Sequence, residues 1–242
     1  MKISSAILFL AAIVAVTITS CKKDDPEPEE EAEVLQMVFD SNWGSEDFAY
    51  NTVYDANGTN VQFTDIRFFI SDIEVEDDGG TMQSWMNQAH IIDAGSTQTI
   101  TAGNLEVQHV HMMDFLVGLN EMVNHEDPML ADAPLNDESM HWGWAPESGY
   151  KFVRIEGSRD HDGDGNYDGF SIHVATDAML RAYTTMVHQN VTDGKIAVNF
   201  TVDIADFFNG VDFSAETLEG THGGGTVAAL VADNVPQAIV KQ

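Results

Sequence analysis

The chain of 242 residues has a single cysteine, Cys21. That excludes an internal disulfide and any metal site rich in thiolates. Lysine and arginine number 10 against 40 aspartates and glutamates, for a formal net charge of −30. A chain so poor in cations is excluded as a nucleic-acid binder, because phosphates demand Lys and Arg. It attracts cations instead. The signatures of common enzyme classes are also missing: there is no nucleophile elbow, no phosphate loop and no HExxH helix. The glycines of Thr221–Gly225 (THGGG) precede an apolar run but lack the phosphate-loop lysine, so the segment reads as a flexible turn. The sequence is therefore that of a binding protein rather than an enzyme.

The long hydrophobic run at the start, ILFLAAIVAV, follows Met-Lys and is shorter than an ordinary membrane span. A basic start, a short apolar stretch and small residues before a cut are the features of an export signal. Ile18-Thr19-Ser20-Cys21 resembles the bacterial lipobox, in which the cysteine is lipidated and becomes the first mature residue. Lipidation accounts for the odd thiol. The next residues, KKDDPEPEEEAE (22–33), are nearly all charged, and such a run repels itself and cannot pack. It reads as a tether, and it resembles the surface-export signals of Bacteroidetes lipoproteins. The expected organisation is a signal peptide at 1–20, lipidated Cys21 with an acidic tether at 21–33, and one domain at 34–242. The expected location is the bacterial outer membrane, periplasmic-facing or surface-exposed.

Hydrophobic residues make up 43% of the chain, enough for a packed core. Leu35, Met37 and Phe39 alternate with Gln36, Val38 and Asp40, as in a half-buried strand. Asn57-Gly58 marks a hairpin turn. In VQFTDIRFFISDIEV the apolar alternation slips phase near Asp65, which predicts a bulge. Val107–Val117 reads as a strand with His109 and His111 on one face. Lys195–Asp203 alternates cleanly. Asp177–His188 is predicted as a helix capped by Thr176, because Leu180, Tyr183 and Val187 recur at helical spacing. The predicted fold is mainly β, an antiparallel β-sandwich with one or two short helices.

The sharpest local motif is DHDGDGNYD. Asp160, Asp162 and Asp164 alternate, Gly165 follows and Asp168 comes soon after. Oxygen ligands at positions one, three and five with a turn glycine form the first half of a calcium loop. The twelfth position is Ser171 rather than Glu, and the flanks YKFVRIEG and GFSIHV read as strands. The motif predicts a structural calcium site on a hairpin; the plainer alternative is a solvated acidic turn. Histidine and methionine give a second signal. His109, His111, His125 and His141 share one window with five methionines, and imidazole and thioether suit copper. His173 lies on a strand face with Ser171 and Ala175, beside the strand that follows Trp142 and Trp144.

The run NHEDP…APLN…MHWGW…SGYKFVRIEG…FSIHVAT resembles the MbnP-like family of exported copper-binding proteins. The earlier FTDIRFFISDIEV resembles that family's strand with a YxSD core. The likeness covers about Leu35 to about Phe213. It implies a β-rich domain with a mononuclear copper site built from histidines. In some members a nearby tryptophan is oxidised to kynurenine, with a dihaem peroxidase-type partner. Carried over by position, the ligand histidines fall on His125 and His173, and the oxidised tryptophan on Trp142 or Trp144. His141, which adjoins Trp142, is the reserve ligand. The competing reading is a calcium-stabilised binding or adhesion lipoprotein without copper.

Overall fold

Alternation places the first strand. The computed structural model describes residues 32–142 and 148–242, so the signal peptide, Cys21, most of the tether and Trp144 lie outside the described residues. Strand β1 (Val34–Trp43) buries Leu35, Met37 and Phe39 on one face. After it come β2 (Glu46–Asp47), β3 (Val53–Ala56), β4 (Thr59–Glu76), β5 (Met82–Asp93), β6 (Gln98–Asn104) and β7 (His109–Val117). A single helical turn, α1 (Glu121–Asn124), leads towards the hairpin of β8 (Lys151–Asp160) and β9 (Asp168–Ala175). The chain ends with β10 (Arg181–Asn190), β11 (Lys195–Asp203), β12 (His222–Gly223), α2 (Thr226–Ala238) and β13 (Ile239–Lys241).

Two sheets result, packed as a sandwich. One has the order β13-β11-β1-β2, with β6 also paired to β1. The β1–β11 pair is parallel, a departure from the all-antiparallel expectation, whereas β1–β6 is antiparallel. The larger sheet has the order β10-β7-β4-β8-β9-β12, with β3 and β5 also paired to β4. Strand β4 runs 18 residues, and its pairing with β8 slips between Phe63 and Asp65, the predicted bulge. The sheets meet through aromatic rings. Phe39 stacks on Phe200 at 4.9 Å between centroids, and Phe115 meets both edge-on. Each such pair contributes about 0.5–1.5 kcal/mol beyond the area it buries.

Two readings of local structure are corrected. Residues 177–188 are not a helix. Asp177–Met179 make one 3-10 turn, Thr176 sits at φ 78° without a capping hydrogen bond, and the rest is strand β10. Tyr183 and Val187 are four residues apart, a spacing that shares a face in a helix and in a strand alike. The β-branched Thr184, Thr185 and Val187 favour the strand, where Tyr183 stacks on Phe115 at 4.6 Å. The glycine-rich segment at 221–225 is not a free turn either, because His222 and Gly223 pair in parallel with His173 and Val174 of β9. Helix α2 follows at once. Its buried Ala228, Val231, Ala232, Val235 and Ala238 form one stripe.

Candidate metal centre

The β8–β9 hairpin builds one wall of the site. Its register sets Arg154 opposite His173 and Glu156 opposite Ser171, so all four side chains share a face. Glu156 is the hub. Its Oε1 accepts from His173 Nε2 at 2.7 Å, its Oε2 accepts from the Ser171 hydroxyl, and Arg154 Nη2 lies 3.2 Å away. Burial alone would raise the Glu156 pKa. The hydrogen bonds from Ser171 and His173, with the charges of His173 and Arg154, outweigh it and hold the carboxyl below its usual range. His173 is pushed the other way by the same burial: desolvation lowers its pKa and prevails over the attraction of Glu156.

The consequence is a specific tautomer. A carboxylate offers only lone pairs, so the His173 proton sits on Nε2. Nδ1 then carries a lone pair, and it is buried without a hydrogen-bond partner among the described residues, in a side chain whose residue is only 8% exposed.

The second wall is β12. The His173 backbone N–H donates to Thr221 O at 2.7 Å, and His222 lies directly beside His173 in the parallel pair. The two imidazole centroids are 4.9 Å apart at 80°. His222 Nδ1 shares a hydrogen bond of 2.9 Å with Thr221 Oγ1, which leaves Nε2 as its other ligating atom. Glycine makes this approach possible. Gly220 sits at φ 67°, and a Cβ on Gly225 would lie 2.4 Å from the Gly220 backbone. Trp142 closes the group, 5.5 Å from His173 and 6.5 Å from His222 between ring centroids. Lys151 lies with Nζ 5.0 Å over the indole and donates to Ser139 O at 2.9 Å. An open cavity of about 600 Å³ borders the cluster, lined by Glu156, Ser171, Thr221 and His222 among others.

The other expected residues are distributed as follows. His125, just after α1, is about half exposed, and its Nε2 pairs with Asp177 Oδ2 at 3.0 Å. That partner raises the His125 pKa. The structure thus brings His173 together with His222 and Trp142, and sets His125 against Asp177. His141 is 2% exposed, with both ring nitrogens lacking a hydrogen-bond partner among the described residues. It bridges to Tyr150, at 6.3 Å between rings. Nothing in the sequence signals that His222 lies beside His173, because three glycines follow it and their close-packing role is invisible without the β9 partner.

In the acidic loop, one carboxylate oxygen from each of Asp160, Asp162 and Asp164 lies within 4.8 Å of the others. Asp160 is the anchor: Oδ2 accepts from the Gly165 N–H at 3.2 Å, while Oδ1 is buried with no hydrogen-bond partner among the described residues. Asp168 turns aside to His161, with Oδ2 3.1 Å from Nδ1, and stays out of the trio.

Both clusters suit cations by donor chemistry. Two imidazoles suit copper and zinc, whereas three carboxylates suit a hard ion. A family model described as MbnP matches residues 32–223 of the chain. The solved structure of MbnP from Methylosinus trichosporium is similar over 82% of this chain and 84% of that one, with a TM-score of 0.55. The sequence identity is 14%, so that likeness is one of fold. No curated protein matches the chain.

Proposed function

The chain belongs to the MbnP family, and from that premise we propose that it is an exported lipoprotein holding one copper ion at His173 and His222 beside Trp142. The observation that carries this reading is the buried, unpartnered Nδ1 of His173, in a ring kept neutral by burial and fixed in one tautomer by Glu156. A metal-bound imidazole characteristically donates its other N–H to a carboxylate, and the His173–Glu156 pair has that form. Neutrality matters because a protonated imidazole has no lone pair to give. Copper here is cargo, acquired, stored or passed on. His141, buried and adjacent in sequence to Trp142, remains the reserve ligand, and His125 is left out of the set because its ring lies against Asp177, whereas the rings of His173 and His222 lie against each other. Following the family likeness, Trp142 or Trp144 is the candidate for oxidation to kynurenine by a dihaem peroxidase-type partner.

The test is copper titration against a competing chelator, using protein made without its signal peptide. This site should take one equivalent, and His173→Ala and His222→Ala should each weaken that binding event by about tenfold or more. His125→Ala should change nothing. If the first two variants bind as the unaltered protein does, the site is wrong. Membrane attachment has its own readout: Cys21→Ala should move the protein to the soluble fraction, since acyl chains are the anchor.

A second ion is favoured by the buried, unpartnered Oδ1 of Asp160. Three carboxylates gathered this closely repel one another, and a calcium ion would relieve that repulsion and clamp the β8–β9 hairpin. Uptake of calcium with no copper would favour the alternative, a calcium-stabilised binding or adhesion lipoprotein.

A further inference from the structure

We propose that Asp78, His109, His111 and His188 form a separate site for a divalent ion of the zinc or copper(II) type. It does not rest on the copper reading of His173, because it uses none of the same residues.

Three elements bring the four side chains together. His109 and His111 are two residues apart on β7 and so share a face. His188 comes from β10, the neighbouring strand at the end of the sheet order. The β10–β7 register shifts between Met186 and Gln189, and His188 takes φ 52° within that bulge. A histidine in the left-handed region costs on the order of 1 kcal/mol or more. The bulge sets the His188 ring against His111, 4.5 Å between centroids at 86°, and 6.5 Å from His109. Asp78 comes from the turn between β4 and β5, where Glu76 pairs with Met112 of β7.

The Asp78 carboxylate faces two imidazoles at once. Oδ1 is 3.0 Å from His111 Nδ1, and Oδ2 is 3.2 Å from His109 Nδ1. The second approach is close but not aligned as a hydrogen bond, and among the described residues the buried His109 Nδ1 has no hydrogen-bond partner. One ligand atom each from Asp78, His111 and His188 lies within 4.8 Å of the other two. Ion pairing alone accounts for an aspartate beside one histidine. It does not account for a third imidazole drawn in by a strained bulge, nor for a buried nitrogen left unpaired beside a carboxylate.

The donor set is three nitrogens and one oxygen. Hard calcium and magnesium prefer all-oxygen shells. Three imidazoles with a carboxylate suit zinc, and copper(II) binds such sites at least as strongly by the usual order of divalent affinities. The side chains of His109 and His111 are 22% and 33% exposed, so an ion can enter from solvent. Once bound, it would tie the β4–β5 turn to β7 and β10.

The experiment is zinc titration by calorimetry on the signal-free protein, with zinc-edge X-ray absorption to count imidazoles. His188→Asn is the informative variant, because asparagine tolerates the left-handed backbone while removing the ring. Zinc affinity should fall about tenfold or more in His188→Asn and in the His109→Ala/His111→Ala double variant, and by less in Asp78→Asn. Zinc binding at this site should survive His173→Ala, and absorption measured on that variant should report about three imidazoles. Zinc binding that survives His188→Asn and the double variant, or that vanishes only with His173→Ala, overturns the proposal. So does a protein that takes up no zinc while its fold is intact by circular dichroism.

Discussion

Replacing Glu156 by glutamine separates metal binding from scaffolding at the centre of the candidate copper site. The carboxylate accepts from His173 Nε2 at 2.7 Å and from Ser171, and it lies 3.2 Å from Arg154. Glutamine keeps the shape and one acceptor oxygen but removes the charge. A hydrogen bond to a charged group contributes about 1.5–3 kcal/mol and a neutral one about 0.5–1.5, so Glu156→Gln should cost the apoprotein about 1–2 kcal/mol. Arg154 keeps Asp65 as a partner, which limits the loss. Carboxylates behind a metal-bound histidine are worth ten- to a hundredfold in affinity, or about 1.4–2.7 kcal/mol. Copper binding should weaken accordingly. A second readout has the opposite sense. Glu156 raises the His173 pKa against the larger lowering by burial. Without it, His173 of the apoprotein should protonate at still lower pH, which by itself moves the half-release pH in the acid direction, against the alkaline shift that weaker affinity produces. Chelator-competition titrations across pH measure both quantities. A variant that loses stability but binds copper with unchanged affinity and pH midpoint would refute the claim that Glu156 orients His173 for a metal.

Three further outcomes follow from the same geometry. Gly225 has φ −72°, so alanine there should be favourable by about 0.4–1 kcal/mol on backbone grounds. Its Cβ would sit 2.4 Å from the Gly220 backbone, so the clash should prevail, with a net loss of about 1–3 kcal/mol in urea unfolding and weaker copper binding through displaced His222. The folded pKa values of His173 and Glu156 both lie below their ordinary values, so each contributes stability that is present above its ordinary pKa and lost as pH falls through its folded one. Unfolding midpoints should therefore drop on acidification, first below pH ~6.5 and again below ~4.5; His173→Gln should reduce the first step, to which partly buried His90 also contributes, and weaken the second, because His173 helps to lower Glu156. Calcium at a hundred times its dissociation constant should stabilise the protein by about 2.7 kcal/mol, and Asp160→Asn should abolish that shift in thermal melts; a melting curve indifferent to chelator and calcium would leave the loop a solvated turn.

Much of the fold was legible because burial writes itself into period two. Leu35-Met37-Phe39 and Ile196-Val198-Phe200-Val202 alternate because each strand buries one face, and both sets lie in the core. The slip at Asp65 was legible for the same reason, since an extra residue inverts the faces. Residues 177–188 were misread where two periods coincide: a pair of buried residues four apart satisfies both, and only the partner strand β7 decides. The parallel pairing of β1 with β11 was hidden too, because parallel and antiparallel strands alternate alike when one face is exposed.

The candidate site divides along the same line. His173 and Glu156 could be set on one hairpin face from the sequence, because an acidic loop bounded by two alternating runs defines their pairing. His222 could not. It reaches His173 through a two-residue parallel bridge across 49 residues of chain, and nothing local to THGGGT encodes that contact. What the segment does encode is the condition for it. Glycine at 220 supplies the left-handed turn and glycine at 225 the close crossing, and together they let a loop lie flat against β9. The same reasoning separates the two histidine sites. His109 and His111 advertise a shared face by their spacing, yet the residues that would complete the proposed site there, Asp78 and His188, come from a turn and a strained bulge. Sites of this kind are assembled by irregular backbone, where period and propensity are silent. Reading them from sequence therefore means asking where glycines, bulges and left-handed residues fall beside unpaired ligating side chains.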